Sequence, residues 1–340
     1  MKRNMLWLLL LPILLLGVAA TSSCRSSYGY ISKVGMIWNT TYHIKYRGPE
    51  SLSDSILVAL NKVGASVNAF DSLSTLSRIN ANLTDSADAF LMQVADCARK
   101  VYEHTNGAFD PTLGPVIRAW GFGKGHEATS DTAKLDSLRA FVGFDKWMLD
   151  GVKVKKSDPR VELNLSGIAK GFGCDMVAEM FLRNGVTDFM IEIGGEIRMG
   201  GKGEQGEMRG DKNGKWTIAI DKPVVSDSVI HYFLATVDLT DCGLATSGDY
   251  RNFHTDSSGN RFGHTLDPKT LRPARTDVLS VTVVAPTAME ADAYATACMV
   301  LGSRKSAEMA EKYKLKIVMV KADGVWVSSA MKPLFNADKD

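Results

Sequence analysis

The sequence lacks paired cysteines and any zinc-type cluster. Its 5 cysteines include no Cys-x-x-Cys pair, and none has a histidine at zinc-ligand spacing. Beyond Cys24 they stand far apart, at Cys97, Cys174, Cys242 and Cys298. This scatter fixes no disulfide pairing, and we expect most of these thiols to be buried.

The chain also has little excess charge of either sign. It carries 40 Lys and Arg against 38 Asp and Glu, a formal net charge of +2, with no basic stripe interleaved with aromatics. Nothing therefore indicates a nucleic-acid partner. Low-complexity blocks, heptad arrays and Pro/Ser-rich linkers are absent too. We interpret residues 24–340 as one large catalytic unit of one or two lobes.

The N-terminus has the pattern of a secretory signal. Lys2 and Arg3 precede an apolar run from Met5 to Ala20, and small residues then lead to Cys24. The run is shorter than the ~20 residues that a spanning helix needs. We interpret residues 1–23 as a lipoprotein signal peptide and Cys24 as the lipidated residue, which predicts a lipid-anchored protein on the periplasmic side of the cell membrane. An ordinary signal peptide and an uncleaved anchor helix are the alternatives.

Hydrophobic periodicity predicts a mixture of hairpins and helices without regular strand–helix alternation. Asp150-Gly151 and Asp323-Gly324 are typical of tight hairpin turns between apolar segments. Strands are expected at Thr40–Tyr46, Phe189–Ile193, Trp216–Ile220, Val229–Val237 and Leu279–Val284. Helices are expected from Ser53, over Ala87–His104 and Ile168–Leu182, and over Met289–Leu301. The fold class is therefore α+β, with mixed, mostly antiparallel sheets and packed helices.

The run Asn164-Leu-Ser-Gly-Ile-Ala-Lys-Gly171 has the composition of an anion site. A strand-like segment, with Val161 and Leu163, meets a Ser-Gly corner and then a helix. The free N–H groups of a helix start attract phosphate, and Lys170 adds a full positive charge there. The run does not have the spacing of a Walker A loop. A helix cap with a solvated lysine is the alternative.

Four further segments have residues suited to a ligand site, although each alone also fits an ordinary loop, bulge or exposed helix. Paired glycines after a strand let backbone approach a ligand closely, and an arginine after a hydroxyl-glycine turn suits phosphate. The segments are Thr105–Pro115 with Asp110 and Thr112, Ile191–Glu196 with Gly194 and Gly195, Thr246–Arg251 with Ser247 and Gly248, and the helix with Asp292 and Thr296. His264 follows in His264-Thr-Leu-Asp-Pro268.

The helix with Asp292 and Thr296 has oxygen ligands at helical spacing. Asp292 and Thr296 are four residues apart, so their oxygens lie on one face of the predicted helix. A carboxylate, a hydroxyl and a nearby carbonyl or phosphate would suit Mg²⁺, which prefers oxygen ligands.

Taken together, these segments resemble the ApbE family, the FAD:protein FMN transferases. The resemblance covers nearly the whole mature chain, and its pieces follow the family's order. They are Gly107-Ala-Phe-Asp-Pro-Thr-Leu-Gly-Pro, Ser166-Gly-Ile-Ala-Lys-Gly, Gly194-Gly-Glu, Thr246-Ser-Gly-Asp-Tyr, His264-Thr-Leu-Asp-Pro and Ala291-Asp-Ala-Tyr-Ala-Thr-Ala. Two positions depart from the family pattern: Asn164 stands where many members have Asp, and Trp38-Asn39 where many have a Met/Gln-Gly pair.

The resemblance implies transfer of FMN from FAD to a Thr or Ser hydroxyl of an acceptor protein, with AMP leaving. By analogy Asp292, Thr296 and the Ala169 carbonyl would bind Mg²⁺. His264 would be the general base, and Lys170 would contact phosphate. The FAD nucleotide would be lined by Asp110, Thr112, Ser166, Gly194, Gly195, Glu196, Ser247, Gly248 and Arg251. A membrane electron-transport subunit is the kind of acceptor implied. An Mg²⁺-dependent FAD pyrophosphatase and a non-catalytic FAD-binding lipoprotein are the alternatives.

The lipoprotein interpretation predicts that Cys24→Ser releases the protein from the membrane fraction and leaves its activity on FAD unchanged. The reason is that the short apolar run supplies an anchor only through the lipidated cysteine. Fractionation after a high-salt wash measures this, with wild type as the control. A Cys24→Ser protein that stays with the membranes would show that another segment anchors it.

Overall fold

A central sheet of eight strands organises the part of the chain that the structure describes. The computed structural model describes residues 28–122, 131–208, 214–222, 232–248, 253–255, 261–263 and 265–337. The central sheet has the strand order β1-β2-β5-β6-β9-β14-β15-β16, and its paired strands are antiparallel throughout the described residues. The α+β class predicted from the sequence is confirmed.

The described strands and helices have the following bounds. The strands are β1 Tyr30–Ile37, β2 Thr40–Arg47, β3 Trp147–Asp150, β4 Lys153–Lys156, β5 Phe189–Ile193, β6 Glu196–Gly200, β7 Trp216–Lys222, β8 Tyr232–Leu239, β9 Gly243–Gly248, β10 Phe253–Thr255, β11 Arg261–Gly263, β12 Leu266–Asp267, β13 Arg272–Pro273, β14 Val278–Ala285, β15 Lys316–Lys321, β16 Gly324–Val327 and β17 Phe335–Ala337. The helices are α1 Ser53–Val67, α2 Thr75–Asn80, α3 Ala89–His104, α4 Gly114–Ala119, α5 Thr132–Ser137, α6 Ser166–Arg183, α7 Glu204–Met208 and α8 Ala288–Tyr313.

Both faces of the central sheet are covered, and alternation along the strands decides which side chain faces which layer. On one face, Ala245, Val283 and Ile317 pack with the helices in the largest hydrophobic cluster. On the other face, Leu244 and Val284 pack against the three-stranded sheet β17-β8-β7. Burial on both faces explains why β14 has an almost continuous apolar sequence.

Helices α6 and α8 pack closely because small residues lie at their contact. A Cβ on Gly171 of α6 would lie 2.3 Å from the Ala288 carbonyl oxygen. A Cβ on Gly243 of β9 would lie 2.2 Å from the Ala288 backbone nitrogen. The first turn of α8 is therefore held between two glycines, one on a helix and one on a strand, and no larger residue fits at either position.

The β1–β2 turn explains one departure from the family pattern. Trp38 and Asn39 have φ angles of 50° and 62°, a conformation that bulky residues rarely adopt. The Trp38 indole packs where two glycines leave room: a Cβ on Gly64 would lie 2.7 Å from its Nε1, and one on Gly173 would lie 2.6 Å from its Cη2. Packing against α1 and α6 thus offsets the backbone strain.

Most sequence-predicted elements are confirmed, including both Asp-Gly hairpins. The strand-like segment with Val161 and Leu163 is not a strand: its residues alternate in burial but pair with no strand in the described chain. The Asn80 side chain replaces a neighbouring strand, accepting from the Leu163 N–H at 2.8 Å and donating to the Leu163 carbonyl at 2.8 Å. Alternation of apolar residues shows only that one side of a segment is buried. It cannot distinguish a backbone hydrogen-bonded to a neighbouring strand from one hydrogen-bonded to a side chain.

The described residues also show how far the thiols are buried and how long and apolar the helices are. Cys97, Cys174 and Cys298 are buried and unpaired, and Cys242 is half-buried, which confirms that most of the thiols are buried. Within the described ranges, none of the helices is long and apolar enough to cross a membrane.

Gly243→Ala should destabilise the protein by about 1–3 kcal/mol, because the added methyl must displace the backbone of Ala288. Urea unfolding followed by circular dichroism measures the change. Gly29→Ala is the matched control, since nothing lies within 4 Å of its added Cβ. Equal stability of the two variants would show that α8 can shift away from β9 freely.

Candidate active site

A lysine and two carboxylates from three different elements meet at one end of the central sheet. Lys170 lies in the first turn of α6, Glu196 opens β6, and Asp292 lies near the start of α8. The Lys170 ammonium is 2.7 Å from Glu196 Oε1 and 4.0 Å from Asp292 Oδ1. The sequence-predicted residues Lys170, Glu196 and Asp292 are thus brought together.

The electrostatics of this cluster follow from its burial. Glu196 and Asp292 are 4% and 2% exposed. Burial raises the pKa of Glu196, whereas the Lys170 ammonium 2.7 Å away lowers it and so favours the ionised carboxylate. Burial also raises the pKa of Asp292 against the same lysine. Burial lowers the pKa of Lys170, but Asp292 and Glu196 outweigh it and raise that pKa overall. Among the described residues of this cluster, two buried carboxylates face one ammonium, a balance that favours a further cation.

Asp292 and Thr296 lie on the face of α8 that meets the start of α6. Asp292 Oδ2 accepts from the Gly171 N–H at 3.1 Å. One turn later, the Thr296 hydroxyl donates to the Gly167 carbonyl at 3.3 Å. A Cβ on Gly167 would lie 2.9 Å from Thr296 Oγ1. The shared face predicted from the four-residue spacing therefore points at the Ser166-Gly167 corner.

The start of α6 is built around Asn164. Its Oδ1 accepts from the Ser166 N–H at 2.9 Å, a local turn that an aspartate side chain would make in the same way. Ser166 is exposed, and Gly167 departs from helical geometry with ψ near 16°. Ala169, whose carbonyl was predicted as a metal ligand, is half-buried between Gly167 and Lys170.

The paired glycines form the β5–β6 turn beside this cluster. Gly194 and Gly195 are exposed and have φ angles of 63° and 105°. A Cβ on Gly194 would lie 2.8 Å from Thr40 Oγ1 and 3.2 Å from Lys170 Cδ. Glycine is required here by both conformation and space.

Strand β9 brings a second hydroxyl-glycine pair to the same end of the sheet. It pairs with β6 through Ile197 and Leu244, and then continues to Ser247 and Gly248 at the end where the glycine turn lies. Both residues are half-buried.

Asp110 and Thr112 hold their own loop together. Asp110 Oδ1 accepts from the Thr112 N–H at 2.9 Å and from its hydroxyl at 2.6 Å. The Thr112 hydroxyl accepts in turn from the Gly143 N–H at 2.8 Å. The loop reaches the site through Phe109, which lies 3.4 Å from a Cβ built on Gly167. Whether Asp110 and Thr112 hold a nucleotide stays a prediction.

Three of the predicted functional residues lie outside the described residues. They are His264, Arg251 and Cys24.

Two clefts lie away from this cluster. One of about 430 Å³ is lined by Asn82, Asp85 and Lys156, among others. The other, of about 650 Å³, is lined by residues that include His104, Pro286 and Lys316, at the opposite end of the β9–β14 pair. Neither cleft is lined by the predicted site residues. The candidate active site is therefore identified by the chemistry of the Lys170–Glu196–Asp292 cluster and not by the size of a cleft.

A family model now links the fold and this cluster to known proteins. The model described as the ApbE family matches residues 38–319, a range that includes the site residues described above. The chain belongs to the ApbE family.

Its relatives are flavin transferases by name. The FAD:protein FMN transferase of Haemophilus influenzae is 38% identical over 336 residues, covering 92% of this chain and 94% of that protein. Among solved structures, the flavin transferase ApbE from Vibrio cholerae matches with a TM-score of 0.78 at 31% identity, covering 90% of this chain and 99% of that one. The flavinyl transferase ApbE of Pseudomonas stutzeri, in its apo form, matches with a TM-score of 0.79 at 26% identity, over 93% of this chain and 100% of that one.

Sequence reasoning missed the role of Asp175 in this ApbE-family protein. From α6, its Oδ1 accepts from the Ala288 N–H at 3.0 Å and its Oδ2 from the Met289 N–H at 2.8 Å. These are free N–H groups at the start of α8, so Asp175 fixes the helix that carries Asp292. The available signal was a single carboxylate within the apolar stretch Phe172–Ala178.

Asp175→Asn should flatten the pH dependence of stability. Burial raises the pKa of Asp175 from 3.8 to about 6, so between about pH 4 and pH 6 the folded protein holds a proton that the unfolded chain releases. The stability from this group is thus present at low pH and lost as pH rises through the folded pKa. As pH rises from about 4 to about 6, the unfolding free energy of the wild type should fall more steeply than that of the variant. The difference in slope is at most about 1.4 kcal/mol per pH unit.

Urea titrations between pH 4 and pH 7 measure this slope. Asp96→Asn, an exposed change on α3, should keep the wild-type slope. An unchanged slope in Asp175→Asn would mean that Asp175 stays ionised in the folded protein.

Proposed function

We propose that this protein transfers FMN from FAD to a Ser or Thr hydroxyl of an acceptor protein, releasing AMP. The observation that carries the proposal is the convergence of Lys170, Asp292, Thr296 and the Gly194 turn at one end of the sheet. This occurs in a chain that matches the ApbE family over residues 38–319. Relatives named FAD:protein FMN transferase support the choice of substrate and reaction.

The proposed chemistry is a phosphoryl transfer. The acceptor hydroxyl oxygen forms a bond to the phosphorus on the FMN side of FAD. The bond from that phosphorus to the bridging oxygen breaks, and AMP leaves with that oxygen. The hydroxyl proton passes to a base, for which His264 is the expected residue, since an imidazole titrates near neutral pH.

Lys170 supplies positive charge where the pyrophosphate would lie. Its ammonium is held at the start of α6 by Glu196 and Asp292, and a fixed charge stabilises a developing anion at little reorganisation cost. The glycine turn leaves open space beside it: no atom of the described residues lies within 4 Å of a Cβ built on Gly195. Ser166, Ser247 and Gly248 complete the expected nucleotide surface.

The donor set fits a magnesium ion. Asp292, Thr296 and the carbonyls at the start of α6 offer only oxygen atoms, as a hard dication requires, and the buried carboxylates exceed the nearby ammonium by one charge. No group of three or more His, Cys, Asp or Glu suited to a metal occurs in the described chain, which is expected for a site with a single carboxylate ligand. We propose Asp292, Thr296 and the Ala169 carbonyl as its ligands. The ion would neutralise charge on the pyrophosphate oxygens.

The expected partners follow from this reaction and from the N-terminal sequence. FAD is the substrate, and the acceptor is a protein exposed on the periplasmic side, of which a membrane electron-transport subunit is the kind implied. Lipidation at Cys24 would hold the enzyme at the same membrane surface as such an acceptor.

One incubation tests the proposed function against its alternatives. The protein is mixed with FAD and Mg²⁺, with and without an acceptor peptide, and the products are separated. Flavin fluorescence that stays with the acceptor after denaturation supports transfer. Free FMN in both mixtures would instead indicate a pyrophosphatase, and intact FAD would indicate a binding protein.

Asp292→Asn should lose Mg²⁺-dependent turnover by on the order of a hundredfold or more, since a neutral amide is a poor ligand for a hard dication. Thr296→Val should lose less, because it removes a neutral ligand of similar shape. Initial rates over a Mg²⁺ series measure both effects, with thermal unfolding as the check on folding. Glu308→Gln, an exposed change on the same helix, should keep the wild-type rate. A wild-type rate for Asp292→Asn at limiting Mg²⁺ would remove α8 from the metal site.

A further inference from the structure

The Lys170 ammonium stands at unequal distances from the two carboxylates that flank it. It contacts Glu196 Oε1 at 2.7 Å, within hydrogen-bond range, whereas Asp292 Oδ1 is 4.0 Å away and outside that range. Asp292 thus feels the charge of the lysine but makes no direct bond to it.

Glu196 is placed to hold the lysine. Its side chain is 5% exposed, and its second oxygen, Oε2, has no hydrogen-bond partner in the portion of the chain that the structure describes. Strand β6 fixes its backbone through pairing with β5 and β9. A rigid strand therefore presents this carboxylate to a flexible side chain.

The distance between the Lys170 ammonium and Asp292 leaves one carboxylate oxygen of Asp292 open to a cation. Oδ2 is occupied by the Gly171 N–H at 3.1 Å, so Oδ1 is the oxygen available to a cation. Mg²⁺ binds carboxylate oxygens at about 2.0–2.1 Å. An ammonium docked on Oδ1 would occupy that position and would repel a second cation.

We infer that Glu196 is a positioning residue that holds Lys170 away from Asp292 and thereby keeps the metal-binding oxygen free. The inference rests on the proposed function, in which Asp292 binds Mg²⁺. It gives Glu196 a role distinct from lining the nucleotide.

Removing the charge of Glu196 should reverse this arrangement. The ammonium would then have one buried anion left, and Coulomb attraction grows as the distance shortens. Its four-carbon stem allows the small movement toward Asp292, while the amide of a glutamine offers the ammonium a neutral acceptor in place of an anion. Lysine and Mg²⁺ would compete for the same oxygen.

The test is calorimetric titration of Mg²⁺ into the full protein without FAD. Glu196→Gln should bind Mg²⁺ about tenfold more weakly, the factor expected for one charge-assisted contact. Lys170→Met, which removes the competitor, should bind at least as tightly as wild type. The double variant Glu196→Gln/Lys170→Met should match Lys170→Met, because without the lysine no ammonium competes with Mg²⁺ for Asp292 Oδ1.

The double variant separates positioning from simple loss of charge. If Glu196 acted through space or as a direct ligand, its removal would weaken binding equally with and without Lys170, and that result would overturn the inference. Equal Mg²⁺ affinity for Glu196→Gln and wild type would overturn it as well. Glu179→Gln, which removes an exposed carboxylate from α6, should leave affinity unchanged. If Glu196→Gln does not fold, Glu196→Ala takes its place with the same expectations.

A kinetic measurement gives a second readout. In Glu196→Gln the Mg²⁺ concentration for half-maximal turnover of FAD should rise about tenfold, whatever the rate at saturating Mg²⁺. A merely structural role would lower the rate without moving that half-maximal concentration, and that outcome would contradict the inference. If wild type and Asp292→Asn bind Mg²⁺ alike, the metal site of the proposed function fails, whereas additive losses in the double variant leave that site intact and overturn only the role of Glu196.

Discussion

The close approach of three backbones at the first turn of α8 is the constraint on which the rest of the site depends. Gly171 of α6 and Gly243 of β9 both face Ala288, where an added Cβ would lie 2.3 and 2.2 Å from its backbone atoms. Asp175 then bonds the free N–H groups of Ala288 and Met289. Because α8 cannot slide against α6, the backbones of Asp292 and Lys170 keep a fixed separation.

This rigidity matters for the proposed chemistry. Electrostatic stabilisation of a phosphoryl transfer works when charges are already in place before the reaction. The cluster of Lys170, Glu196 and Asp292 gathers three charges from a helix start, a strand start and a second helix. Each is held by backbone that belongs to the core, whereas the glycine turn beside them stays exposed to admit a substrate.

The sequence was most informative where periodicity and short-range geometry decide the structure. Periodicity predicted a helix from Ser53, and the structure has α1 at Ser53–Val67. The Asp-Gly pairs predicted two hairpins that are also present. Alternation failed at Val161 and Leu163 because the Asn80 side chain, distant in sequence, satisfies the Leu163 backbone groups in place of a strand. The Trp38 turn could not be foreseen either, since its strain is offset by packing against Gly64 and Gly173.

The sequence by itself determined the fold class, the ordered family motifs and the shared helix face of Asp292 and Thr296, because these depend on residue type and spacing along one element. Only the tertiary structure decided which charged side chains contact one another. Lys170 was expected to contact phosphate, and the structure adds a contact with Glu196 from another element. Asp175 stabilises α8 rather than its own helix. Contacts between elements depend on how layers pack, and sequence separation carries no information about the distance between two buried side chains in space.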